Sequence, residues 1–111
     1  MDIESVLESL ILRFNEKAQE DEKLRTDLKD ITRMIMVEFG DGESYNFTLQ
    51  DCQLTKLSKG AVDSPDIKII TDRETFEGLI EKRIGPMKAL LTGKLKLEAS
   101  IEDKLRLRKL F

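Results

Sequence analysis

The chain has 111 residues, 40% apolar and 37% charged, with a formal net charge of −3. That length supports one domain able to cover roughly two thirds of its unfolded surface, and the composition excludes a disordered segment. The absence of histidine and the single cysteine remove the common nucleophile and metal systems and any internal disulfide.

The charge is unevenly spread. Residues 1–30 carry nine acids and five bases, residues 31–81 ten acids and five bases, and residues 82–111 three acids and nine bases. A final third of net +6 is suited to anionic lipid or a nucleic-acid backbone. With no aromatic side chains interleaved before Phe111, nucleic acid is set aside. No basic stretch followed by an apolar run opens the sequence, so no signal peptide is expected. No apolar run reaches the ~18 residues of a membrane span. A cytoplasmic location is expected, which makes the sequon Asn46-Phe47-Thr48 accidental.

In chain order, Ile3, Val6, Leu7, Leu10, Ile11 and Phe14 fall on one stripe and predict a helix over 3–18. Leu24 and Leu28 keep nearly the same phase, so a second helical piece or a continuation follows. From Ile31 to Phe39 the pattern turns to β, apolar on both faces at its centre. Gly40-Asp41-Gly42 forms a hairpin turn. The next strand alternates Tyr45, Phe47 and Leu49 against Ser44, Asn46, Thr48 and Gln50. Residues 52–57 give a weaker third strand, in which Cys52 is a small core residue. Residues 66–70 give the fourth.

Thr71 with Glu74 makes a capping box for a helix whose apolar face is Phe76, Leu79, Ile80 and Ile84. Gly85 ends it and Pro86 begins a short helix presenting Met87, Leu90 and Leu91. After Gly93, Leu95, Leu97 and Ala99 alternate along a fifth strand. Ser100 caps a last helix, with Asp103 at its third position, carrying Ile101 and Leu105 on one face. The order predicts an α+β domain with an antiparallel-rich sheet and helices on one face.

Nothing in this order resembles a catalytic constellation. Gly93-Lys94 matches the end of a phosphate loop, but Leu95 stands where a Mg²⁺-binding hydroxyl is required. Gly40-x-Gly42 lacks the third glycine of a dinucleotide site and opens no helix. The acidic run Glu20-Asp21-Glu22 lacks EF-hand spacing. No enzyme activity is expected.

The element order and the residues from Thr71 to Phe111 together resemble the sterol carrier protein 2 family of lipid-transfer domains. Carrying the resemblance are Asp72, Phe76 and Leu79 opening a helix, then Pro86 and Ala89, the strand Gly93-Lys94-Leu95-Lys96-Leu97, and the ending Lys104-Leu105-x-Leu107-x-Lys109-Leu110-Phe111. Residues 30–70 match in pattern and helix 3–18 in position. Ala99 stands where the family often has glycine, and the first helix is acidic where membrane-visiting members have a basic one.

The resemblance implies a five-stranded sheet with helices packed on one face and an apolar tunnel between, over one domain spanning 1–111. It implies non-catalytic binding or transfer of a fatty acid, fatty acyl-CoA, phospholipid or isoprenoid or sterol-like lipid, with no cofactor and no metal. The tunnel-lining candidates it gives are Phe76, Leu79, Ile80, Met87, Leu90, Leu91, Leu95, Leu97, Ile101 and Leu105. Partner expectations are a hydrophobic small molecule, transient membrane contact and a homodimer, but no nucleic acid. The alternative is an interaction or dimerisation module whose apolar surface is covered by a partner.

Overall fold

The computed structural model describes residues 2–110, with side chains to residue 108. Helix α1 spans Ile3–Glu20 and buries Ile3, Leu7, Ile11 and Ala18, as its stripe requires. Asp2 caps it by accepting the Glu4 N–H at 3.2 Å. The chain then breaks for one residue: Asp21 is extended (φ −104°, ψ 98°) and accepts the Leu24 N–H at 3.0 Å, capping α2, Glu22–Leu28. Arg25 closes the joint by donating to the carbonyls of Ala18 and Gln19 at 2.9 and 2.6 Å.

The sheet holds six strands: β1 (Arg33–Phe39), β2 (Ser44–Gln50), β3 (Gln53–Leu54), β4 (Ser58–Lys59), β5 (Ile67–Thr71) and β6 (Leu95–Glu98). Its spatial order is β3-β2-β1-β5-β6, with β4 also paired to β2. The expected count of five strands is corrected here. Residues 52–57 do not form one strand: Asp51 and Cys52, both left-handed (φ 53° and 63°), are the turn between β2 and β3, and pairing lapses after Leu54, where the Thr55 hydroxyl accepts the Thr48 N–H at 2.9 Å. β3 and β4 instead share the outer edge of β2 end to end, leaving five positions across the sheet. All pairs are antiparallel except β1 with β5.

Register sets the inner face. Val37 lies opposite Tyr45 and Ile69, and Ile69 opposite Leu97, so one row of apolar side chains crosses four strands. The next rows place Ile35 beside Phe47 and Ile67, and Phe39 beside Thr71, itself opposite Leu95. Helix α1 covers this face, and Asn15 fixes it to the sheet edge. Its amide donates to the Leu54 carbonyl at 2.9 Å and accepts the Leu54 N–H at 2.7 Å.

Helix α3, Arg73–Ile80, starts one residue later than the capping-box reading places it. Thr71 completes β5, its hydroxyl donating to the Lys94 carbonyl at 3.0 Å. Asp72 is the cap, accepting the Thr75 N–H at 2.7 Å and the Thr75 hydroxyl at 2.9 Å. Ile84 falls beyond the helix but folds back on it: a Cβ added at Gly78 would lie 2.5 Å from the Ile84 Cδ1. Gly85 then serves as the N-cap of α4, Pro86–Leu91, rather than as the stop of α3. Helix α5, Ile101–Leu110, starts on Ser100, whose hydroxyl accepts the Asp103 N–H at 3.1 Å.

Candidate lipid cavity

Between the inner face of the sheet and the helices, the core is hollow in two adjoining places. The first cavity, about 390 Å³, is walled by α1 through Leu7, Leu10, Ile11 and Phe14. The sheet closes it with Val37, Phe47 and Ile69, and α3 with Phe76, Leu79 and Ile80. The second, about 220 Å³, lies toward α2 and α5, among Leu28, Ile31, Ile35, Leu49, Ile67 and Leu107. Phe14, Phe47, Leu54 and Ile69 belong to both walls, so the two spaces are neighbours.

The second cavity has one charged corner. Asp103, 4% exposed, accepts from Arg33 Nε at 2.9 and 3.1 Å and from Arg106 Nη1 at 2.6 Å. Arg33 also donates to the Thr32 carbonyl at 2.8 Å. This cluster ties α5 to β1 and neutralises the buried carboxylate with hydrogen-bonded cations, as burial demands.

A third space, an outer cleft of about 430 Å³, lies between α4, β6 and α5. Its apolar lining is Met87, Leu90, Leu95, Leu97 and Leu107, and its polar lining is Lys96, Lys104 and Arg108. Leu95 is shared with the first cavity and Leu107 with the second. A hydrocarbon chain finds almost nothing polar in the two inner spaces, while an anionic end finds cations in the outer one.

Of the residues singled out from sequence, Phe76, Leu79 and Ile80 line the first cavity, and Leu95 lines both it and the outer cleft. Met87, Leu90 and Leu97 line the cleft only. Leu91, Ile101 and Leu105 lie outside all three walls and are 83%, 78% and 55% exposed. The α1 stripe, Phe47, Leu54 and Ile69 contribute wall that the sequence reading does not single out. Their apolar period was visible, but periodicity does not tell a packed face from one bordering a void.

An α+β domain with apolar space between its helices and sheet has room for a hydrophobic ligand. More specifically, the sequence matches the SCP-2 sterol transfer family over residues 13–111, and the chain belongs to that family. Family membership assigns the domain to lipid binding or transfer in general.

Solved structures share the fold. Palmitated SCP2L2 from Aedes aegypti is 17% identical, with a TM-score of 0.65 over 99% of this chain and 94% of that one. A sterol carrier protein 2 is 20% identical, with a TM-score of 0.60 over 88% and 83%. The sec-alkylsulfatase Pisa1 from Pseudomonas sp. is 16% identical, with a TM-score of 0.57 over 77% of this chain. The chain spans only 13% of the length of that enzyme. No curated protein sequence matches.

Proposed function

We propose that this domain carries a lipid with an acyl or isoprenoid chain, the tail held in the two inner cavities and an anionic end in the outer cleft. Fatty acids, fatty acyl-CoA and phospholipids fit this description. The observation that carries the reading is the pair of apolar cavities sharing Phe14, Phe47, Leu54 and Ile69, with the basic cleft adjoining both. Each methylene moved from water into such a space contributes about 0.8 kcal/mol, so a long chain reaches micromolar affinity after ordering costs. Lys96, Lys104 and Arg108 are the side chains placed to hold a carboxylate or phosphate. A palmitated relative of the same fold supports an acyl ligand.

The function needs no catalytic step and no cofactor, and its single cysteine suits the cytoplasm. No described helix is long and apolar enough to cross a membrane. The test is titration of delipidated protein with a fluorescent C16 fatty acid. Saturable micromolar binding is expected, weakened at least tenfold by Leu54→Trp, which fills the boundary between the inner cavities. A folded, delipidated protein that binds nothing overturns the reading.

A further inference from the structure

Beside the cations that the carrier function uses, the mouth of the outer cleft has an exposed apolar rim that it does not use. On α5, Ile101, Lys104, Leu105 and Arg108 follow i, i+3, i+4, i+7 and share one exposed face. Its Lys104 and Arg108 line the cleft. Across the cleft on α4, Met87 lines the wall at 47% exposure, and Leu91, one turn on, is 83% exposed. Large apolar side chains therefore stand out on both banks of an opening bordered by three cations. Among the described residues, Lys96, Lys104 and Arg108 form no ion pair. The nearby acid Asp103 is taken up by Arg33 and Arg106, whereas Glu98 forms no ion pair among the described residues, its register partner Lys68 being paired with Glu38. Glu102 is the remaining acid of α5.

We infer that this rim is a docking surface for an anionic lipid bilayer, with Leu91, Ile101 and Leu105 entering the headgroup layer and Lys96, Lys104 and Arg108 facing its phosphates. Charge complementarity selects this occupant. The charged lining of the cleft, Lys96, Lys104 and Arg108, is entirely cationic, in a segment of net +6 on a chain whose preceding residues carry net −9, so this face is the one drawn to an anionic surface. The exposed acids of α1, Glu4, Glu8, Glu16 and Glu20, keep that helix away from the bilayer. A two-fold dimer through the same patch would place the cationic rim against itself. Exposed apolar side chains beside a basic patch supply the two contributions on which interfacial binding depends, buried apolar area and attraction to anionic lipid. This inference extends the carrier reading, because docking by this face would set the cleft against the bilayer from which a lipid leaves.

The experiment is co-sedimentation with vesicles of phosphatidylcholine alone and of phosphatidylcholine with about a third phosphatidylglycerol. Binding to the anionic vesicles is expected to exceed binding to neutral ones at least tenfold and to fall as salt rises. Lys104→Glu with Arg108→Glu is expected to abolish it. Leu91→Ser with Leu105→Ser is expected to lower it about tenfold while leaving fatty-acid capture in solution unchanged, since neither leucine lines any of the three described spaces. Equal binding to both vesicle types overturns the proposal, as does indifference to the charge reversal. It is also overturned by light scattering that shows a dimer dispersed by the leucine substitutions. Failure of capture by the unaltered protein would instead count against the carrier function, so the two readings fail separately.

Discussion

The carboxylate of Asp72 connects the backbone of one turn to the wall of the first cavity. By accepting the Thr75 N–H and hydroxyl it starts α3 at Arg73, and the next residues inward, Phe76, Leu79 and Ile80, are cavity wall. The backbone N–H of Thr75 is the largest influence holding the Asp72 carboxyl below its ordinary 3.8, with the Thr75 hydroxyl adding to it and burial opposing. A depressed folded-state value means that the ionised cap stabilises the fold above 3.8 and loses its contribution as pH falls through the lower, folded value. Asp72→Ala is therefore expected to cost about 1 kcal/mol at neutral pH, as for other N-caps. Denaturation at falling pH should show the gap between the two proteins closing below 3.8. A gap that stays constant across that range would assign the loss to packing rather than to the charged cap.

Among the elements, α5 depends most on one interaction. Asp103 is buried, whereas the Arg33 and Arg106 side chains keep 26% and 25% of their surface exposed. Asp103→Ala is expected to cost less than the roughly 3–5 kcal/mol of a fully buried pair, because water still reaches both guanidinium groups. It should exceed the ~1 kcal/mol ceiling of surface pairs. Hydrogen exchange should show α5 opening before the sheet. Elements held by local signals were legible in the sequence: the α1 stripe, the Gly40–Gly42 turn, Pro86 at the start of α4 and Ser100 beneath Asp103 all act within a turn or two of themselves. The strand 52–57 was not, because its turn is made by left-handed Asp51 and Cys52 with no glycine to mark it, and its break by the Thr55 side chain bonding to Thr48. The Asn15 amide that pairs with Leu54 bridges 39 positions and leaves no local trace. Spacing grouped Leu90 with Leu91 and Leu105 with Ile101, yet Leu90 lines the cleft and the others face outward. Which arc of a short helix turns inward is decided by its partners, and Arg33 holding Asp103 decides it for α5.

At the scale of the whole molecule, a hollow core makes stability depend on occupancy. The unliganded domain forgoes the dispersion contacts that the atoms around its two inner cavities would make with a filling group. A ligand that binds only the folded state adds about 2.7 kcal/mol when present at a hundred times its Kd. For a domain near this size each kcal/mol moves the melting temperature by roughly 4–8 °C, so palmitate should raise it by ten degrees or more. Leu54→Trp should do two opposite things. By filling the shared boundary it should raise the melting temperature of the empty protein, as cavity-filling changes commonly do by about 0.5–2 kcal/mol. By removing the room for a chain it should also erase most of the shift that palmitate produces. Calorimetry of both proteins with and without palmitate reads the four values together. An indole that lowers the empty protein's melting temperature while leaving the palmitate shift intact would mean that the chain lies elsewhere, and the outer cleft would then be the space to probe.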